Sequence, residues 1–231
     1  MKKISNIFTN LDKWVSTKGD GNYLEYEYNP YVCMAENSLN EEKGIQQVRK
    51  ELYILVEKIL ETKNDNGSCL EIGLGHFGST HFLWRQLFDE VITIEKEWER
   101  VREFGRNTKS YHNNKFVLDD GNSKFYHGLS NDEKIVEKVY DKHENISMLF
   151  IDGNHTYAAV LADFLLYYPL VKKGGIVAFH DTVYSSGYNE DVPKLIRDLK
   201  NGKFTNGKRI PIKDIVESET QGISYFIKDG L

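Results

Sequence analysis

The chain has 231 residues, with 30 Lys+Arg against 35 Asp+Glu and a formal charge of −5 at pH 7, which fits one full-sized domain with a short appendage and excludes a strongly basic nucleic-acid binder. Its two cysteines, Cys33 and Cys69, can build neither a disulfide framework nor a CxxC zinc knuckle. No stretch approaches the ~18 unbroken apolar residues of a membrane helix and no apolar leader follows Met1, so a soluble, unprocessed, cytoplasmic protein without nucleic-acid or membrane partners is expected.

Residues 1–44 are polar and aromatic, carry Trp14, Tyr23, Tyr26, Tyr28 and Tyr31, and show no sustained period; they read as a lead segment or lid. From Ile45 to Thr62 the apolar residues Ile45, Val48, Leu52, Leu55, Val56, Ile59 and Leu60 recur at helical steps, which predicts an amphipathic helix. This divides the chain into an N-terminal cap and helix over 1–62 and a main domain over 63–231. Beyond residue 63, short β-rich runs alternate with helical patterns, the sequence form of an α/β fold with a mostly parallel, doubly wound sheet. Strands are predicted at 68–72, 91–95, 115–118, 146–151 and 175–180, with two late β-like runs at 210–215 and 223–227. Helices are predicted at 79–87, 98–106, 132–140, 156–168 and 192–199.

The first strand runs into Glu71-Ile72-Gly73-Leu74-Gly75-His76-Phe77-Gly78-Ser79, whose glycines read GxGxxG where a strand ends and a helix begins. Gly73, Gly75, Phe77, Gly78 and Ser79 are therefore expected to form a loop that holds a nucleoside ligand. Glu71, two residues before the first glycine, would place a carboxylate at the mouth of that loop, where it repels a pyrophosphate and attracts an ammonium. Glu95 closes the second strand about 20 residues on, where such folds hold ribose hydroxyls. Asn122 and Ser123, after the predicted third strand, would face the adenine side.

These residues resemble the class I S-adenosylmethionine-dependent methyltransferases: Glu71-x-Gly73-x-Gly75, Glu95 at the end of the second strand, and Gly121-Asn122-Ser123 after the third. The resemblance implies a Rossmann-like sheet of seven strands with the last antiparallel, and S-adenosylmethionine as the methyl donor. A nicotinamide-dependent oxidoreductase and a non-catalytic nucleoside-binding protein are the alternatives for the glycine loop.

The fourth strand ends in Asp152-Gly153-Asn154-His155 and the fifth in His180-Asp181-Thr182. Carboxylates at adjacent strand ends, about 4.8 Å apart, can share one hard cation, so Asp152 and Asp181 are the candidate metal pair, with His180 as a third candidate ligand. Strand alternation turns His180 away from Asp181 unless the strand has ended, and an imidazole ligand favours manganese, iron or zinc over magnesium. His155 is the candidate general base for a hydroxyl. The stretch from Phe150 to Thr182 is similar to the metal-dependent branch of small-molecule O-methyltransferases, of the catechol, macrolide-sugar and cephalosporin hydroxylase-like types. By that similarity Asp152 and Asp181 fall on metal-ligand positions for magnesium or manganese, His155 stands where the catechol type has a lysine, and Thr182 where it has an amide. The resemblance thus implies a small-molecule hydroxyl as acceptor and includes families that form homo-oligomers.

Overall fold

In the computed structural model of the protein the described residues are 2–16, 47–62, 66–75, 78–97, 100, 121–186, 189–219 and 221–229. Among them, helices α1 (Lys2–Ser16) and α2 (Arg49–Thr62) precede β1 (Ser68–Ile72), α3 (Ser79–Arg85), β2 (Glu90–Glu95), β3 (Ser123–His127) and α4 (Glu133–Tyr140). There follow β4 (Ile146–Ile151), α5 (Tyr157–Tyr167) with a 3-10 turn at Tyr168–Leu170, β5 (Val171–His180), α6 (Asp191–Lys200), β6 (Lys213–Ile215) and β7 (Ile223–Ile227). No described helix is long and apolar enough to cross a membrane.

The strands form one sheet in the order β3-β2-β1-β4-β5-β7-β6. The first five run parallel, and β7 lies antiparallel between β5 and β6. This is the expected seven-stranded, mostly parallel, Rossmann-like sheet. All six positions of β4 are buried, as its continuous apolar run requires of a central strand covered on both faces. The two-residue period sorts the core into two layers. Cys69, Met148, Phe150 and Ala178 pack with residues of α1, α2 and α3, while Leu70, Ile72, Leu149, Ile151 and Phe179 pack with residues of α4, α5 and α6.

Three expectations change. Residues 2–16 form a helix whose Ile4, Ile7, Phe8 and Leu11 are buried; the helical spacing was present, but the aperiodic stretch that follows masks it. The third strand is Ser123–His127, paired parallel to β2 from Val91↔Ser123 to Glu95↔His127, whereas the predicted 115–118 lies outside the described residues. Among the described residues β3 has a single strand neighbour, and it reads Ser-Lys-Phe-Tyr-His, so it lacks the apolar run that marks the covered central strands. β5 starts at Val171, four residues before the predicted start at Gly175, so the Lys172-Lys173-Gly174-Gly175 run lies inside it, accompanied by a register shift against β4. The predicted helix over 98–106 lies outside the described residues except for Arg100.

After β1 the chain builds outward to β2 and β3, then crosses back to lay β4 on the other side of β1. The carboxyl ends of β1 and β4 therefore flank the switch point, where open α/β sheets bind ligands. At the far edge, Lys228 follows β7 and donates to the carbonyls of Tyr168 (3.0 Å), Pro169 (3.4 Å) and Val171 (2.6 Å), which end α5 and its 3-10 extension. Replacing this ammonium by the similarly shaped Lys228→Met removes its hydrogen bonds to those carbonyls. The expected loss is about 1–2 kcal/mol, or a fall in Tm of about 2–8 °C by thermal denaturation, with the sheet's circular dichroism unchanged.

Candidate active site at the switch point

A pocket of about 320 Å³ opens over the carboxyl ends of β1, β2, β3 and β4. Its floor is the place where β1 and β4 end side by side. Gly73, at φ +92°, lies so close to Asp152 that a Cβ there would stand 2.1 Å from the Asp152 carbonyl oxygen, so only glycine fits. The sheet ladder extends through both residues: Gly73 N–H donates to Ile94 O (3.0 Å) and Asp152 N–H to Ile72 O (2.9 Å).

Gly73, Gly75 and Glu95, the residues expected to hold a nucleoside ligand, line the pocket. The Glu95 carboxylate accepts from Leu74 N–H (2.9 Å) and Glu97 N–H (2.8 Å), and Arg100 approaches it at 3.6 Å. Gly78 caps α3 in a left-handed conformation and Ser79 is buried in its first turn, so both shape the loop without lining the pocket. Phe77 lies outside the described residues.

Glu71 is placed differently from the expectation. Strand alternation puts it on the face shared with Cys69, beneath α3, where it has no exposed surface. Trp84 Nε1 donates to its Oε1 (3.1 Å), Thr93 Oγ1 to its Oε2 (2.8 Å), and Thr80 adds a further side-chain bond. Burial, against these hydrogen bonds, raises its pKa from 4.5 to about 8. Asn122 and Ser123 are also displaced: they open β3 at the edge of the sheet opposite the pocket. Asn122 O accepts from Val91 N–H (2.9 Å), and Ser123 Oγ lies 2.9 Å from Nε2 of the buried His81, whose Nδ1 is 2.8 Å from Thr93 Oγ1. Burial lowers the His81 pKa to about 3, so this ring is neutral.

The third strand's carboxyl end instead presents Gly128, Leu129 and Ser130, which line the pocket and which sequence reasoning missed. α5 holds them from below: Ser130 Oγ donates to Asp163 Oδ1 (2.5 Å) and Tyr167 OH to Ser130 O (2.5 Å). Burial raises the Asp163 pKa to about 6. The available signal was Asp163 itself, the one charged residue in the apolar helix Tyr157–Tyr167.

The acidic end of the pocket gathers Asp152, His155, His180 and Asp181. β5 ends at His180, and Asp181 takes φ +56°. That left-handed residue breaks the strand's alternation, so both side chains reach Asp152's neighbourhood. Asn189 pins the turn by donating Nδ2 to the carbonyls of Asp181 and Val183. His155 Nδ1 is 3.1 Å from Asp181 Oδ2 and its Nε2 3.6 Å from Asp152 Oδ1. His180 Nδ1 lies 3.1 Å from Asp152 Oδ1 and 3.3 Å from Asp181 Oδ2.

These contacts set the charges. Burial opposes protonation of His180, yet Asp152 and Asp181 outweigh it and hold the ring well above its ordinary pKa. Burial likewise opposes ionisation of Asp152, and His180 followed by His155 overcomes it, keeping this carboxyl below its ordinary range. The Asp152 carboxylate, and then Asp181 against the effect of burial, raise His155. One ligand-capable atom from each of Asp152, His155 and Asp181 lies within 4.8 Å of the others. Two carboxylate oxygens and an imidazole nitrogen at that spacing fit a divalent cation that accepts mixed oxygen and nitrogen donors. His180 is not in this set; its side chain is 3% exposed, against 51% for His155, and it backs both aspartates as their counter-charge.

Gln47, Lys96, Arg100 and Gln221 complete the walls and were not found in the sequence. None belongs to a motif.

Residues 70–182 match the family model described as a methyltransferase domain. "Uncharacterized protein R132" of Acanthamoeba polyphaga mimivirus is 35% identical over 94 residues, which are 39% of this chain and 42% of that protein. Among solved structures, the O-methyltransferase TomG from Streptomyces achromogenes superposes with a TM-score of 0.58 at 14% identity, over 95% of this chain and 99% of that one. The O-methyltransferase from Bacillus cereus gives 0.55 at 13% identity, over 99% and 91%. The MycE methyltransferase of the mycinamycin pathway gives 0.53 at 15% identity, over 76% and 48%, so this chain spans about half of MycE and less than half of the mimivirus protein. The fold is that of the class I methyltransferases, and the segment from β1 to just beyond β5 carries the sequence pattern of a methyltransferase domain.

The buried Glu71 generates a pH dependence. Unfolded, its carboxyl releases a proton near 4.5; folded, near 8. Between those values the folded state holds the extra proton, so this group's contribution to stability falls as pH rises from about 5 to 8 and levels off above. Urea unfolding at pH 5, 6.5 and 8 is expected to show that fall in the wild type and a flatter profile in Glu71→Gln; equal slopes would refute the protonated carboxyl.

Proposed function

We propose that this protein transfers the methyl group of S-adenosylmethionine to a hydroxyl oxygen of a small molecule, with a divalent cation at Asp152 and Asp181. The observation that carries this reading is the convergence, in one pocket, of Glu95 and the Gly73 turn with the acidic group of Asp152, His155 and Asp181. MycE, which shares the fold, is described in complex with Mg, SAH and mycinamycin VI, and the B. cereus O-methyltransferase in complex with SAH. These support a methyl donor and a metal in a fold of this kind.

In this reading Glu95 takes the ribose hydroxyls, the glycine turn from Gly73 to Gly75 lies along the methionine end, and Gly128 to Ser130 border the adenine. The helices α1 and α2, expected to belong to a separate cap, are part of the core layer on one face of the sheet, and Gln47 just before α2 closes one wall of the pocket. The transfer is a direct displacement: the acceptor oxygen forms a bond to the methyl carbon as the carbon–sulfur bond breaks, and the hydroxyl proton leaves. A cation between the two carboxylates would lower the pKa of an acceptor hydroxyl as a Lewis acid. His155 receives the proton; it is the half-exposed member of the group, so the proton can pass on to water. Asp152 and Asp181 fix the acceptor end of the pocket, and buried His180 keeps Asp152 ionised.

Calorimetric titration of metal-stripped protein with S-adenosylhomocysteine, repeated with added manganese, tests the frame. Binding is expected in both states, and its absence from both would sink the reading and bring forward a nicotinamide ligand. His155→Ala is expected to lower kcat by about 10²–10⁴ at saturating acceptor while leaving the affinity for S-adenosylhomocysteine within twofold. An unchanged kcat would remove His155 from the role of base.

A further inference from the structure

Gln47 precedes α2, far in sequence from every motif, yet it is 5% exposed and reaches across the pocket to the fourth strand. Its Nε2 donates to Asp152 Oδ2 at 2.5 Å. The other oxygen of the same carboxylate, Oδ1, is the one that faces His180 (3.1 Å) and His155 (3.6 Å). The two oxygens of Asp152 therefore have different tasks: one is held by an amide from the N-terminal segment, and the other is turned into the acidic group.

We infer that Gln47 is a positioning residue for the cation site. By occupying Oδ2 it fixes the carboxylate's rotation and would leave Oδ1 as the Asp152 oxygen offered to a cation. The neighbouring turn of the helix makes this placement firm. Glu51, four residues on and fully buried, accepts from the backbone N–H groups of Glu217 (2.9 Å) and Gly222 (3.1 Å). The loop it grips pairs in turn with the chain just after Asp181: Thr182 N–H donates to Gly222 O (3.2 Å) and Val183 N–H to Gln221 O (2.6 Å). The start of α2 thus touches both carboxylate-bearing strand ends, Asp152 directly through Gln47 and the Asp181 turn through Glu51. An amide is suited to the contact, since it donates to a carboxylate without adding a charge that would repel a cation.

This inference rests on the proposed cation site, and the test separates the two. Mn²⁺ binding is measured by the electron paramagnetic resonance signal of free Mn²⁺, in the presence of S-adenosylhomocysteine, for the wild type, Gln47→Met and Gln47→Glu. Methionine keeps the shape and removes the donor; it is expected to weaken Mn²⁺ binding about 10- to 100-fold, with S-adenosylhomocysteine affinity within twofold of wild type. Glutamate places a carboxylate beside Asp152, which destabilises the metal-free protein but meets the cation. Its Mn²⁺ affinity is expected to remain at least that of wild type, with a larger rise in Tm on adding Mn²⁺. Wild-type affinity in Gln47→Met, or equal weakening by both substitutions, would overturn the positioning role and leave the cation site standing. Absence of Mn²⁺ binding by the wild type would overturn the cation site itself, and this role with it.

Discussion

The contact between Gly73 and the Asp152 carbonyl governs the geometry of everything above it. Two parallel strands can lie side by side with any side chains, but here the chain must leave β1 sharply while β4 ends against it. A Cβ at Gly73 would stand 2.1 Å from that carbonyl. The glycine lets the turn fold back over the sheet end, so the loop to Gly75 and the carboxylate of Asp152 face one cavity. A ligand at that point can touch both halves of the sheet, because the strand order reverses there, with β2 and β3 on one side of β1 and β4 on the other.

Above this crossing the dominant constraint is charge. Asp152 and Asp181 are brought close together and largely out of water, an arrangement that is costly unless cations answer it. The protein supplies one permanent answer, the buried His180 between the two carboxylates, with the half-exposed His155 beside them. The same side chains explain why this end of the pocket can accept a divalent ion: Asp152 is held ionised, and both carboxylates are aimed into one group before any ion arrives. The nonpolar face of β1 offers the contrast. Glu71 has hydrogen-bond donors around it but no neighbouring cation strong enough to offset its burial, so it holds its proton.

Most of the architecture was legible in the chain because local pattern and sheet environment agree. Central strands such as Ile146–Ile151 are apolar on both faces, and the predicted strand at 68–72 matches the observed one. The failures share a cause. The strand Ser123–His127 is polar and has one strand neighbour among the described residues, so periodicity does not mark it; Asn122 and Ser123, expected at the adenine, stand at its start, away from the pocket. Glu71 was read from its distance to the glycines, but which way a strand residue points depends on the face it occupies.

Sequence alone determined where the motifs contiguous along the chain fall: the glycine turn, Glu95 at a strand end, and the Asp152 and Asp181 motifs that close β4 and β5. Each is set by a few adjacent residues whose backbone preferences need no distant partner. Tertiary structure decided what those motifs meet. It placed Gln47 on Asp152 across 105 positions of chain, brought Gly128 to Ser130 to the pocket over Asp163, and turned His180 toward both aspartates through the left-handed Asp181. Contacts of that kind join residues with no common period or spacing, so they exist only once the sheet has set its strand order.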